Sequence, residues 1–257
     1  MRCLYREKMY QCGNYLDIEI FPVFAPPRSV RSKKAKPTKK AQEMLNQRNA
    51  AKKIIRLANT NFTEKDLRFD LTYSQENEPE NPQEAQRLLQ NFIKRLKRFR
   101  KRNGLPELKY IAVTETGKRK NRIHHHLILS GGVSINDLAR IWGLGYTSAK
   151  PLQFDKKGIS ALAAYMTKAP LLYRRWNASK NLQKPKVTQR DGRISGKLVK
   201  ELHNLANDAG AEYERRYSGY LFAEASPFYN DCNEGFYLSV HMYKPRPQRL
   251  NPQIKKE

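Results

Sequence analysis

The segment from Leu108 to Leu129 constrains this chain more than any other. It reads LKYIAVTE, then TGKRKNR, then IHHHLIL: two strand-like runs joined by a short basic turn, which predicts a β-hairpin. The chain has five histidines, and three stand side by side on the returning strand. Successive strand side chains point to opposite faces, so His124 and His126 share one face while His125 points away. His125 is therefore expected to tolerate replacement better than its neighbours. Glu115 ends the first strand, across the turn from His124.

The elements around the hairpin set the fold class. DLRFDLTYS (Asp66 to Ser74) alternates Leu67, Phe69, Leu71 and Tyr73, as a half-buried strand does. Asn81 then caps a helix with Pro82 at its first position and Glu84 completing a capping box. On that helix Ala85, Leu88, Leu89, Phe92, Ile93, Leu96 and Phe99 form the core face. Lys94, Arg95, Lys97, Arg98, Arg100, Lys101 and Arg102 lie outside it, as a solvated face or as phosphate contacts. Asn103 and Gly104 end the helix.

Ser134 and Asp137 cap a short helix, GYTSAKPLQF is a further strand, and GISALAAYMTKAP is a helix stopped by Pro170. YLDIEIFPVF is a short N-terminal strand, and KKAQEMLNQRNAAKKIIRLANTNF a helix with basic flanks. The tail carries a helix from Gly196 to Ala211 and two aromatic-rich strands, YSGYLFAEA and GFYLSVHMY. Strands and helices in this order predict an α+β fold, a central antiparallel β-sheet flanked by helices, with N- and C-terminal extensions. The expected division is a basic extension over 1–60, a central domain over 61–180, and a C-terminal part over 181–257 that packs on the same sheet.

Charge narrows the partners. Lysine and arginine number 50 against 24 acidic residues, a net charge of +26. An excess of that size favours a polyanion and makes binding salt-sensitive. No long amphipathic helix with exposed tryptophans is present, so nucleic acid rather than a membrane is expected. Cys3, Cys12 and Cys232 form no C-x-x-C pair, which argues against a zinc ribbon and a disulfide framework. The N-terminus lacks a signal-peptide core, and no apolar run approaches membrane-spanning length; the expectation is a reduced, cytosolic protein.

Two groups of residues carry chemistry. His124, His126 and Glu115 can meet one ion. Two imidazoles and a carboxylate suit Mn²⁺, Fe²⁺ or Zn²⁺, and Mg²⁺ when substrate phosphate supplies further oxygens. Further along, Tyr165 and Lys168 sit about 60° apart and one turn up on AAYMTK. A tyrosine beside an ammonium is a candidate nucleophile, because the charge favours the phenolate. An ordinary amphipathic surface helix gives the same Y-x-x-K pattern.

In this order, FDLTYS, the Glu…His-x-His hairpin and the YMTK helix resemble the single-tyrosine HUH endonucleases that initiate rolling-circle replication. The resemblance covers roughly residues 66 to 170, including IWGLGYTSAKPL, and is similar to bacteriophage and prophage versions such as filamentous-phage replication proteins. It implies Glu115, His124 and His126 as ligands of a divalent metal (Mg or Mn), Tyr165 as nucleophile and Lys168 as its accompanying lysine. Lys118, Arg119, Lys120, Arg122, Arg98 and Lys101 are the expected DNA contacts.

The implied activity is metal-dependent nicking and joining of single-stranded DNA at a replication origin, through a 5′-phosphotyrosine, in the cytoplasm of a bacterial host cell. No G-x-x-x-x-G-K-[ST] occurs, so the expected partners include a host helicase and a host DNA polymerase, with self-association left open. Two features depart from the family. The middle histidine-motif position is His125, where an apolar or aromatic residue is usual, which leaves another local ligand set open. No second tyrosine follows Tyr165 at short helical spacing, Tyr173 being too far along. The rival readings are a transposase or relaxase of a mobile element, and a non-catalytic nucleic-acid-binding protein.

Overall fold

The computed structural model describes residues 4–24, 39–116, 122–160, 162, 176–230 and 235–245, without the side chains of 39–45. The protein is α+β, with two five-stranded sheets. The chain divides into two compact units. One comprises Met1–Met9, Asn14–Phe24 and Thr188–Glu257, and the other Tyr10–Gly13 and Ala25–Val187.

The second of these units carries the hairpin. Its strands are β3 (Leu67–Leu71), β4 (Tyr110–Thr116), β5 (Ile123–Leu129), β6 (Thr147–Pro151) and β7 (Asn177–Ala178), in the order β6-β3-β5-β4-β7. All four pairings are antiparallel. Helix α1 (Lys39–Asn61) covers one face: Ile54, Ala58 and Phe62 pack on Ile111, Val113 and Ile128. The opposite face carries Phe69, Leu71, Ala112, Leu127 and Leu129, under α2 (Pro82–Arg102) and α3 (Ile135–Trp142).

Helix α2 begins and ends where the sequence indicates. Asn81 Oδ1 accepts from the Glu84 amide at 2.8 Å, and Pro82 occupies the first turn, where its missing N–H costs nothing. Ala85, Leu89, Phe92, Ile93 and Leu96 are buried at helical spacing, each large side chain contributing about 1.5–3 kcal/mol. Ser134 caps α3 by accepting from the Asp137 amide.

Arg100 departs from the expected basic face. It is buried, and its guanidinium donates to the carbonyls of Pro106, Ser130 and Gly131. It therefore ties the end of α2 to the loop after β5, because a buried cation requires acceptors on every side.

The other sheet runs β8-β1-β2-β10-β9, with β1 (Leu4–Cys12), β2 (Tyr15–Val23), β8 (Lys186–Asp191), β9 (Leu221–Asn230) and β10 (Gly235–Tyr243). The C-terminal strands therefore belong to a sheet of their own and not to the central one, which corrects the expectation of a single shared sheet. β10 pairs with β2, Val240 opposite Ile18, and both residues are fully buried. The apolar alternation of β2 is satisfied by the tail, and the terminal segments form a core of their own with Tyr5, Ile20, Val199, Leu202, Tyr213 and Leu238. The tail helix is also longer and broken: α4 (Gly196–Leu205) is followed by a 3₁₀ turn and α5 (Gly210–Arg216). The break falls at Ala206, whose φ of 48° no α-helix accommodates.

Candidate metal centre

The β4–β5 register places Glu115 opposite His124, and the β3–β5 register places Asp70 opposite His126. Paired residues share a face, so Glu115, His124, His126 and Asp70 stand together. The Nε2 atoms of His124 and His126 each lie 2.9 Å from Glu115 Oε1. One ligand atom from each of these three residues lies within 4.8 Å of the others. This is the constellation read from the sequence.

Asp70 completes it and escaped the sequence reading. His126 Nδ1 donates to Asp70 Oδ1 at 2.6 Å, which commits that nitrogen and leaves Nε2 for the ligand role. Arg68 in turn donates to Asp70 at 3.0 Å. The signal in the sequence was slight: a carboxylate alternating with Phe69 and Leu71, whose neighbour across the sheet only the strand order reveals.

Charge is tightly held here. Burial opposes ionisation of Glu115, but hydrogen bonds from His124 and His126 outweigh it and hold the carboxyl down to about 2. Burial likewise opposes the His126 imidazolium, yet Asp70 and Glu115 raise it to about 9. Asp70 is held below its ordinary value by His126 and Arg68, despite burial. A pocket that stabilises positive charge between two carboxylates, with two imidazole nitrogens converging on one oxygen, fits a divalent cation in donor type and spacing.

His125 does something else. It is fully buried on the other face, with Nδ1 2.8 Å from Thr114 Oγ1 and Nε2 2.7 Å from the Tyr73 hydroxyl. Its ring meets Tyr73 and Trp142 edge-on. Burial, with His124 and His126 nearby, pushes it down to about 3, so it is neutral. The expectation that His125 is the more replaceable histidine needs correction: it points away from the ion site, into the best-packed part of the core.

Arg122 donates to Glu78 Oε2 at 2.7 Å and to the Tyr73 carbonyl, which fixes the segment after β3. Arg98 and Lys101 are exposed on α2. Tyr165, Lys168, Lys118, Arg119, Lys120 and Tyr173 lie outside the described residues. Among the described residues no helix is long and apolar enough to cross a membrane.

Fold and site together define an α+β protein with a candidate divalent-metal centre on one face of its central antiparallel sheet. The family model of the replication-associated protein ORF2 matches residues 67–170, from β3 to the residue that follows the YMTK segment. This match contains Asp70, Glu115, His124 and His126 and supports a replication initiator. Neither among curated proteins nor among solved structures is there a significant match.

Proposed function

We propose that this protein initiates replication by nicking one DNA strand at an origin and later rejoining it. The observation that carries the reading is the convergence of Glu115, His124 and His126 on one face of the sheet, inside the segment matched by the replication family. These three residues would hold a Mg or Mn ion, with Asp70 orienting His126. When bound, the ion would supply Lewis acidity toward a phosphate oxygen and a fixed point for orienting the strand.

The nucleophile in this reading is Tyr165. Its phenolic oxygen forms a bond to the scissile phosphorus, the P–O3′ bond breaks, and the 3′-oxygen leaves with a proton. The products are a 5′-phosphotyrosine and a 3′-hydroxyl that a host polymerase can extend. One phosphodiester replaces another, so rejoining needs no ATP. Lys168 favours the phenolate before attack. Exposed arginines and lysines hold the backbone of the strand.

The test uses the full chain, Mn²⁺ and labelled single-stranded oligonucleotides carrying candidate origin sequences, with denaturing electrophoresis as the readout. A covalent adduct that vanishes in Tyr165→Phe while Mn²⁺ binding persists is the expected result. An adduct retained by Tyr165→Phe places the nucleophile elsewhere. With no adduct on any substrate, a non-catalytic nucleic-acid-binding protein becomes the better reading.

A further inference from the structure

On the reverse face of the central sheet, α2 and α3 enclose a groove of about 920 Å³. Arg98, Lys101, Arg102 and Arg140 contribute to its lining, over apolar Phe99 and Ile141. The groove is held in shape by Arg95, which donates to the carbonyls of Ile141 and Trp142 at 3.0 and 3.1 Å and so closes the C-terminus of α3. Cationic side chains over an apolar floor combine the two needs of a single-stranded nucleic acid, phosphate neutralisation and base contact.

The groove opens toward the sheet's edge strand. Gly143 and Leu144 also line it, and the chain then runs along the end of β3: the Ser74 amide donates to the Leu144 carbonyl, and the Thr72 amide to the Tyr146 carbonyl, each at 2.9 Å. Gly145 makes this approach with φ 154°. A Cβ there would lie 2.4 Å from the Ser74 nitrogen, so no other residue fits the corner.

Tyr146 follows. Ser148 pairs with Asp70, so strand alternation puts Tyr146 on the metal face, two strands from His124 in the order β6-β3-β5. At about 4.8 Å per strand this is roughly 10 Å, a span of one or two nucleotides. Tyr146 is 77% exposed, the largest value among the exposed large hydrophobic residues described. Thr72, Ser148 and Lys150, also exposed, continue the polar surface on that side.

Resting on the nicking reading, we infer that a single DNA strand runs from the metal centre across β3 and β6, stacks a base on Tyr146 at the sheet edge, and turns into the α2–α3 groove. The strand is thereby gripped on both faces of the sheet. One part of the protein presents the phosphate to be cut, and the other holds the flanking segment while the ends are exchanged. Arg98 and Lys101, weighed above as a solvated face, become backbone contacts of the flank.

Fluorescence anisotropy with the full chain tests this, using oligo(dT) probes of about 6 and about 16 nucleotides. Wild-type affinity rises with length, and the Tyr146→Ala chain and the Arg98→Gln/Lys101→Gln/Arg102→Gln chain each lose about tenfold or more of that gain. The triple variant also shows a salt slope smaller by about 2, as three fewer phosphates are neutralised. A length-dependent gain equal to wild type in both variants overturns the track. So does an equal loss when the exposed Arg190, Lys197 and Lys200 of the other unit are replaced by Gln, because the effect is then bulk charge. The readout is binding, so it decides the track whether or not an adduct forms; adduct formation by the wild-type chain reports separately on nicking.

Discussion

Asp70 is the residue on which the site's preorganisation can be measured. Asp70→Asn keeps the size of the side chain and an oxygen able to accept from His126 Nδ1, but removes the charge from a 2.6 Å contact. Charge-assisted hydrogen bonds are about twice as strong as neutral ones, and loss of such an orienting carboxylate typically lowers metal affinity about 10–100-fold. That corresponds to about 1.4–2.7 kcal/mol.

A second effect opposes the first. Asp70 also stabilises the proton that a metal must displace, since His126 is raised to about 9. In the wild type, Mn²⁺ affinity therefore climbs between pH 6.5 and 8.5, by up to about tenfold per unit. In Asp70→Asn the imidazolium is held by Glu115 without Asp70, proton competition weakens, and the climb ends at lower pH. The deficit of the variant is thus smallest near pH 6.5 and grows toward pH 8.5. Calorimetric Mn²⁺ titration of the chelator-stripped chain at three pH values reads both effects. Wild-type affinity in the variant at every pH refutes the orienting role. Complete loss, as in His126→Ala, means that Asp70 is itself a ligand or holds the fold.

Three further outcomes follow from the same geometry. His124→Ala and His126→Ala abolish Mn²⁺ binding and leave a folded chain, whereas His125→Ala lowers thermal stability by about 2–4 kcal/mol, by leaving a cavity and stranding Tyr73 and Thr114; equal melting temperatures for all three contradict this. His125 lies at about 3 when folded, so its stabilisation is complete above the ordinary histidine value and is lost as pH falls from about 6.5 toward 3. His126 has the opposite sign: its contribution is complete below about 6.5 and is lost as pH rises toward 9, so urea midpoints without metal should fall on the alkaline side in the wild type and less in His126→Ala. Replacing Lys118, Arg119 and Lys120 with Gln should weaken single-stranded DNA binding and reduce its salt slope by about 2, and a salt-independent affinity would remove the charge argument altogether.

Much of the central unit was legible because its signals are local. Asn81, Pro82 and Glu84 define a helix start within four residues, and the alternation of Leu67, Phe69 and Leu71 defines a strand without reference to the rest of the chain. Glu115 and His124 were legible as neighbours because a hairpin forces their approach. Asp70 was not, since β3 reaches β5 only through a pairing between residues 56 positions apart. The same limit hid the second sheet. β2 looks like an isolated strand in an extension until β10, more than two hundred residues on, supplies its partner. Arg100 misled for a different reason: helical spacing gives its direction, but not the three loop carbonyls that turn it inward.

The HHH run shows how one residue type serves two ends on one strand. His126, between Asp70 and Glu115, is raised to about 9, whereas His125, one position away, is lowered to about 3 among Tyr73, Trp142 and Thr114. The pleat separates them, and each environment would defeat the other's purpose: a charged His125 would be buried against aromatic rings, and a His126 without carboxylates would lose its orientation. An apolar residue at 125 would pack, but would leave the Tyr73 hydroxyl without its 2.7 Å partner and Thr114 Oγ1 without its 2.8 Å one. The imidazole therefore replaces an apolar residue here because it bridges two strands, β5 to β4 through Thr114 and β5 to the end of β3 through Tyr73. Those are the strands that carry Glu115 and Asp70, so the buried histidine fixes the register on which the metal-facing pair depends. Accordingly His125→Leu should cost Mn²⁺ affinity through misplacement of Glu115 and Asp70, while His125→Gln, which can still bond on both sides, should retain more of it.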